Sequence, residues 1–382
     1  MKNKKPLALY LHIPFCKQKC LYCDFLSAPA SRKEQTRYVE ALLCDCRQTL
    51  QGLGENYEVA TVFIGGGTPS LLPVEQIAAL LDEIRKHISF VEKAEVTMEM
   101  NPGTLRAGYL KKLYAAGVNR LSLGLQSVHE SELHTLGRIH SYQDFLHAFD
   151  EAREAGFLNI NVDLMYNLPG QTLKSWQQTL ERVMKLQPEH ISAYSLIIEE
   201  GTPFYQAYGS GTLELPVEEE LEAMDALTAD KMAEYQYEQY EISNYAKKGY
   251  ACRHNLCYWE RGEYIGLGLG ASSFFQGERF RRCVDLGQYI NQKEIGEFTR
   301  EDVHPVCIKE AMEEFMFLGL RLTKGVKKDA FYRCFGKTVY EVYEKTLEKL
   351  QRQGLLCDED GRLFLSDRGR MMGNYVFSAF LI

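Results

Sequence analysis

No run of 18 or more apolar residues occurs in the 382-residue sequence, which removes a bilayer-spanning helix. Positive charge is also short. The chain has 44 Lys and Arg against 52 Asp and Glu, a formal charge of −8. That balance argues against a general binder of nucleic acid or anionic membrane, because phosphate contacts need a local excess of Lys and Arg. No internal repeat or low-complexity tract stands out. A cleavage signal is missing too: MKNKKPLALYLHIPFC is basic and then apolar, but Pro14 and Cys16 stand where small residues would be needed. The sequence therefore reads as unexported and cytoplasmic. Eleven cysteines, an odd number, then point to free thiols or metal ligands rather than a disulfide framework. Cys44, Cys46, Cys283, Cys307, Cys334 and Cys357 lack ligand spacing and are expected to be ordinary packing residues.

What is present is ordinary globular composition, 45% hydrophobic and 25% charged, at a length that suits one large domain and one or two smaller ones. Apolar, β-rich runs alternate with amphipathic stretches through the first two hundred residues, the pattern of βα units around a parallel sheet. Six strands are predicted, at 7–13, 60–65, 94–100, 119–125, 159–166 and 190–197, with helices near 32–50, 74–88, 105–116, 141–155 and 173–186. Six units predict an α/β fold with an incomplete (β/α)6 barrel, spanning 1–200. Segment 201–304 opens with a charged helical stretch and continues into Tyr- and Gly-rich strands. It reads as an extension of the barrel. Residues 305–382 are mostly helical and end in GLLCDEDGRLFLSDRGR, a hairpin with an Asp-Gly turn, which predicts a winged-helix-like C-terminal domain. Such modules often bind DNA, but 13 Lys or Arg against 11 Asp or Glu is too balanced for a groove-binding stripe.

The strongest local signal is HIPFCKQKCLYCDF, which sets Cys16, Cys20 and Cys23 as Cys-x3-Cys-x2-Cys directly after the first strand. Three thiolates on one short loop can hold three corners of a 4Fe–4S cube and leave the fourth iron without a protein ligand. That open iron can chelate the amino and carboxylate groups of S-adenosylmethionine, so that an electron from the cluster splits its C–S bond. A zinc site is the alternative, but zinc usually takes four closed ligands, and no second Cys or Cys/His pair follows nearby. Barrel sites are built at the C-terminal ends of strands. There the sequence puts Gly65-Gly66-Gly67-Thr68-Pro69, Glu99, Gln126, Asp163 and Ile197, with Arg138 just beyond Gln126. The glycines admit close backbone approach, the carboxylates suit ribose hydroxyls, and the guanidinium suits a carboxylate held by a fork.

The combination of YLHIPFCxxxCxYCDF, GGGTPSLL, LSLGLQS, GRIH, NVDLMYNLPGQT and GLGLGASSF closely resembles the oxygen-independent coproporphyrinogen III oxidase family and its sister branch, the radical S-adenosylmethionine heme chaperones. The resemblance runs along nearly the whole chain. It implies a backbone contact from Tyr10, cofactor contacts from Tyr22, Gly66, Gly67, Thr68, Glu99, Gln126, Arg138 and Asp163, and adenine packing near Ile197 and Ser272. Two features separate the branches. The oxidase has a fourth cysteine two positions after the third, where this chain has Phe25, and a long N-terminal extension, where only fifteen residues precede Cys16. The chaperone branch carries an HNxxYW motif, present here from His254 to Trp259. The resemblance therefore implies a chaperone that binds heme and passes it to an acceptor apoprotein, with an electron donor for the cluster. It also leaves room for a homodimer. The alternative is radical decarboxylation of coproporphyrinogen III to protoporphyrinogen IX.

In the motif, imidazole is a common axial ligand for heme iron, so His254 is the candidate ligand. Tyr258 and Trp259 offer flat apolar faces to a porphyrin. A buried structural histidine beside an aromatic corner is the plain alternative. Cys252 and Cys257 flank His254, and a thiol ligand or thioether link from either is a lesser option.

Overall fold

A computed structural model describes residues 4–381. Six βα units open the chain. They are β1 (Lys5–Ile13), α1 (Arg32–Leu50), β2 (Tyr57–Gly66), α2 (Val74–His87), β3 (Phe90–Met100), α3 (Tyr109–Ala115), β4 (Arg120–Gln126), α4 (Glu130–Thr135), α5 (Tyr142–Glu154), β5 (Ile160–Tyr166), α6 (Leu173–Lys185) and β6 (His190–Ser195). Each neighbouring pair from β1 to β6 is parallel. Capping boxes set the starts of α1, α5 and α6: Ser31 with Glu34, Ser141 with Asp144, and Thr172 with Ser175 close their first turns reciprocally. Strand β4, RLSLGLQ, is buried at every position, as parallel strands covered on both faces should be.

The predicted strands and helices are all found, with two instructive shifts. The helix expected from 105 begins at Tyr109, because Pro102–Thr104 forms a short 3-10 turn and Gly108 (φ +73°) starts the helix in a left-handed conformation. The last strand stops at Ser195, so Ile197 lies beyond it, in the connection to α7 (Pro203–Gly209).

The next segment holds α8 (Glu218–Glu234), β7 (Glu238–Gln239), β8 (Asn244–Ala246), α9 (Arg253–Trp259), β9 (Tyr264–Leu267), β10 (Ser272–Phe275), β11 (Glu278–Arg281), α10 (Leu286–Ile295) and β12 (Glu301–Pro305). It widens the barrel sheet on both edges, giving twelve strands in the order β12-β11-β10-β9-β1-β2-β3-β4-β5-β6-β8-β7. The added pairings are antiparallel except β1 with β9. One hydrophobic core runs through this sheet and its helices from Leu7 to Phe298.

A second core, from Met312 to Phe380, belongs to the C-terminal segment. There α11 (Ile308–Gly319), β13 (Val326–Lys327), α12 (Lys328–Phe335), α13 (Val339–Arg352), β14 (Leu356–Glu359) and β15 (Arg362–Leu365) precede two short helices. The hairpin between β14 and β15 turns at Asp360 and Gly361, both at positive φ, as a two-residue hairpin turn requires. No helix among the described residues is long and apolar enough to cross a membrane.

Cys46 and Cys283 are buried, as expected of packing residues. Cys307 and Cys334 are a correction: both are exposed, Cys307 at the N-cap of α11 and Cys334 in the last turn of α12. Helical periodicity placed them in elements without saying which face was covered.

Candidate functional site

The loop after β1 leaves the sheet at Ile13 and is pinned back onto the end of β2. The Gly67 N–H donates to the Ile13 carbonyl at 2.9 Å and the Thr68 N–H to the Phe15 carbonyl at 2.7 Å. This is why glycine occupies the strand end. At Gly66 (φ +111°) a Cβ would lie 2.5 Å from the His12 ring, and at Gly67 2.6 Å from the Phe15 carbonyl oxygen. The sequence assigned these glycines to cofactor approach; the structure adds that they also let the cysteine loop dock.

Cys16, Cys20 and Cys23 are all free, half-buried thiols that open into one cavity of about 480 Å³. Two of them already have donors. Thr68 Oγ1 donates to Cys16 Sγ and Arg138 Nη1 to Cys20 Sγ, each at 3.6 Å. Among the described residues no group of three or more His, Cys, Asp or Glu converges as a single-ion site would. Three thiolates that each take a different iron of a cube need no such convergence, and the donors that face the sulfurs suit thiolate charge. The cavity therefore fits a cluster held at three corners.

The same cavity gathers Tyr22, Gly66, Gly67, Thr68, Glu99, Gln126, Arg138, Asp163 and Ile197 with the three cysteines. Glu99 accepts the Gly66 N–H at 2.9 Å. Burial, with the Asp163 carboxylate nearby, pushes its pKa up to about 8, so it is protonated at neutral pH. Asp163 accepts from Ser122 at 3.0 Å and from Asn161 at 2.7 Å. Gln126 sits at φ +72° and accepts from Tyr194 at 3.0 Å. Arg138 gives one nitrogen to the Gly124 carbonyl at 2.6 Å, and its Nε is buried without a protein partner. That orphan donor leaves Arg138 able to take an anionic group in the cavity.

The sequence did not single out Arg120, Asn161, His190 or Tyr194, which also line this cavity. Arg120 is 2% exposed. Burial works against its charge, and Cys252, Glu95, Tyr240 and Asp163 around it more than offset that. A lone charge opening an otherwise uncharged strand, RLSLGLQ, was the available signal.

The HNxxYW segment forms α9, and it is plugged into the barrel. Glu95 of β3 accepts the N–H groups of Arg253 and His254 at 3.0 and 3.1 Å, capping the helix start. His254 is 1% exposed, with Thr61 on Nδ1 and the Tyr258 hydroxyl on Nε2, each at 2.8 Å. Its ring stacks on Phe63 with centroids 5.1 Å apart. Burial lowers its pKa to about 3, so the imidazole is neutral. His254 thus has no open nitrogen in this structure and lies one hydrogen bond behind Tyr258. Cys252 and Cys257 are pushed up to about 12 by burial, so both stay as thiols.

Asn255 of the same helix lines the cysteine cavity, whereas Tyr258 and Trp259 line a second one of about 430 Å³. The second cavity also receives Tyr10, His12, Tyr264 and Ser272. Ser272 lines the second cavity rather than the cysteine cavity. The Tyr10 ring lies 6.3 Å from Phe63, centroid to centroid, and lines the second cavity, while its backbone, the part expected to meet the cofactor, sits in β1 between Phe63 of β2 and Gly266 of β9.

The comparisons with known proteins agree with this organisation. The radical SAM superfamily profile matches residues 10–183, and the HemN C-terminal domain profile matches residues 309–372. The heme chaperone HemW of Bacillus subtilis is 39% identical over 373 residues, covering 97% of this chain and 98% of that protein. The Escherichia coli heme chaperone HemW is 36% identical, with complete coverage of both chains. In structure, the coproporphyrinogen III oxidase HemN of Escherichia coli superimposes with a TM-score of 0.84. At 22% identity, with 99% of this chain and 90% of that one covered, the match establishes the fold.

Proposed function

Given that the chain belongs to the HemW family of radical SAM proteins, we propose that it is a cytoplasmic heme chaperone. It binds one heme beside α9 and delivers it to an acceptor apoprotein, with a 4Fe–4S cluster and S-adenosylmethionine in the adjoining cavity. The observation that carries this reading is the double use of α9. One of its residues, Asn255, lines the cysteine cavity, and two others, Tyr258 and Trp259, line the second cavity. Heme-bearing and cluster-bearing chemistry thereby share one short helix.

Cys16, Cys20 and Cys23 would hold the cluster, and Arg138, Glu99, Gln126, Asp163, Thr68 and the Gly66–Gly67 backbone would hold the nucleotide. When bound, the cluster and S-adenosylmethionine supply one-electron cleavage of a C–S bond, fed by a reduced electron donor. The chain's own residues do the positioning. Arg138 offers its unpartnered Nε to a carboxylate, and Glu99 can give up its proton to face a cationic ligand. The neutral His254 suits iron ligation once the Tyr258 hydroxyl yields Nε2.

The test is anaerobic. The reconstituted full chain is titrated with hemin, then incubated with coproporphyrinogen III, S-adenosylmethionine and reductant. Saturable hemin binding without porphyrinogen turnover is expected. Stoichiometric protoporphyrinogen formation would replace the chaperone reading with the decarboxylase.

A further inference from the structure

The second cavity has four aromatic residues around it, Tyr10, Tyr258, Trp259 and Tyr264, and no carboxylate among its lining residues. Its one permanently charged side chain is Arg279 of β11. That guanidinium belongs to a trio. Arg279 Nε and Arg261 Nε each donate to a different oxygen of Glu314 at 2.6 Å. The two guanidiniums also lie over the Phe274 ring, at 4.7 and 4.6 Å from its centroid. Glu314 comes from α11, so the C-terminal segment supplies the only acid of the trio, and its side chain is only 11% exposed. Two positive charges therefore share one carboxylate, and one of the two, Arg279, lines the cavity.

An aromatic slot with one cationic corner fits a flat apolar ligand that carries a carboxylate at its edge. Taking the heme reading above as its premise, we infer that the second cavity is the porphyrin slot, with Arg279 as the residue that holds a heme propionate and Glu314 as its internal competitor. Arg279 has donors to spare, since beyond Glu314 it makes one further hydrogen bond, to the Tyr264 hydroxyl at 3.3 Å. This gives the C-terminal segment a role in the site. By drawing Arg279 toward α11, Glu314 weakens the grip on the ligand's carboxylate.

The arrangement predicts substitutions of opposite sign. The probes are hemin and hemin dimethyl ester, whose propionates are esterified, titrated into the full-length reconstituted protein by Soret difference spectra. Arg279→Gln should weaken hemin binding about tenfold, the worth of one charge-assisted hydrogen bond, and leave the ester unchanged. Glu314→Gln should tighten hemin binding, because the competing carboxylate is gone. Equal losses of hemin and ester in Arg279→Gln, or weaker hemin binding in Glu314→Gln, would make the trio a packing device and overturn the assignment. Unchanged hemin affinity in Arg279→Gln would do the same. Failure of the unaltered chain to bind hemin at all would instead remove the heme reading, and this slot with it.

Discussion

The two cavities meet at α9, are of similar volume, and differ in how they are built. The cysteine cavity is walled by the ends and inner faces of consecutive parallel strands, and a set of its polar residues is tied together: Asp163 to Ser122 and Asn161, Gln126 to Tyr194, Glu99 to Gly66. The second cavity is assembled from three distant segments, β1, the run from α9 to β11, and α11, and brings four aromatic side chains together. A ring series leaves the second cavity at Tyr10, touches the cysteine cavity at Phe63 and returns through His254 to Tyr258. The contrast suggests a division of labour. The first cavity presents fixed dipoles and charges to a small polar nucleotide, while the second presents flat faces to a large apolar ring.

Substitutions that strike both sides, or only one, sharpen this contrast. Arg120 sits beneath the first cavity, and its charge is felt by Glu95, which caps α9, and by Asp163. Arg120→Met removes the buried cation whose field those acids share. A marked drop in Tm, with loss of both cluster retention and hemin binding, is expected. A variant as stable as the parent would mean that the two regions are not joined through this network.

His254→Ala is read mainly on the second side, although His254 also packs on Phe63 of the first. Hemin affinity should fall about tenfold to a hundredfold and the Soret band should change, since an axial ligand is lost, while cluster absorption stays. An unaltered Soret band and affinity would return His254 to a purely structural role.

The smallest effect is confined to the first side. With its pKa at about 8, Glu99 is mostly neutral at pH 7 and must release a proton to oppose a sulfonium and an ammonium. S-adenosylmethionine should therefore bind about tenfold more weakly at pH 7 than at pH 9, by the ordinary titration arithmetic. The sign follows from the raised pKa: affinity rises with pH until Glu99 is ionised. In Glu99→Gln the pH dependence should flatten, and calorimetry in buffers of different ionisation enthalpy should report no proton release at pH 7. A parent with pH-independent affinity would contradict this assignment.

The same contrast explains what could be read in the sequence. Strand–helix alternation gave the six parallel units, and the cysteine spacing with the strand-end residues located most of the first cavity, because those signals are local in the chain. The second cavity depends on β1 pairing with β9, with Tyr10 opposite Gly266, and on Glu314 of α11 reaching Arg261 and Arg279. No local pattern encodes such contacts. That is why the sequence did not place the Tyr10 ring and Ser272 in the second cavity, where they are found, and why Arg279 and Glu314 went unnoticed. His254 shows the same limit: its motif was visible, but its burial behind Tyr258 depends on Thr61 and Phe63 from another strand.

The most direct test of the account is to reconstitute the parent and the Cys16→Ser/Cys20→Ser/Cys23→Ser variant anaerobically, count iron and sulfide, and titrate each with hemin. The parent should hold about four irons and four sulfides, as one 4Fe–4S cube requires. The triple variant should hold none and still bind hemin as tightly as the parent. Zinc in the parent, or equal iron and sulfide in both proteins, would contradict the cluster assignment. Loss of hemin binding together with the cluster would contradict the separation of the two cavities.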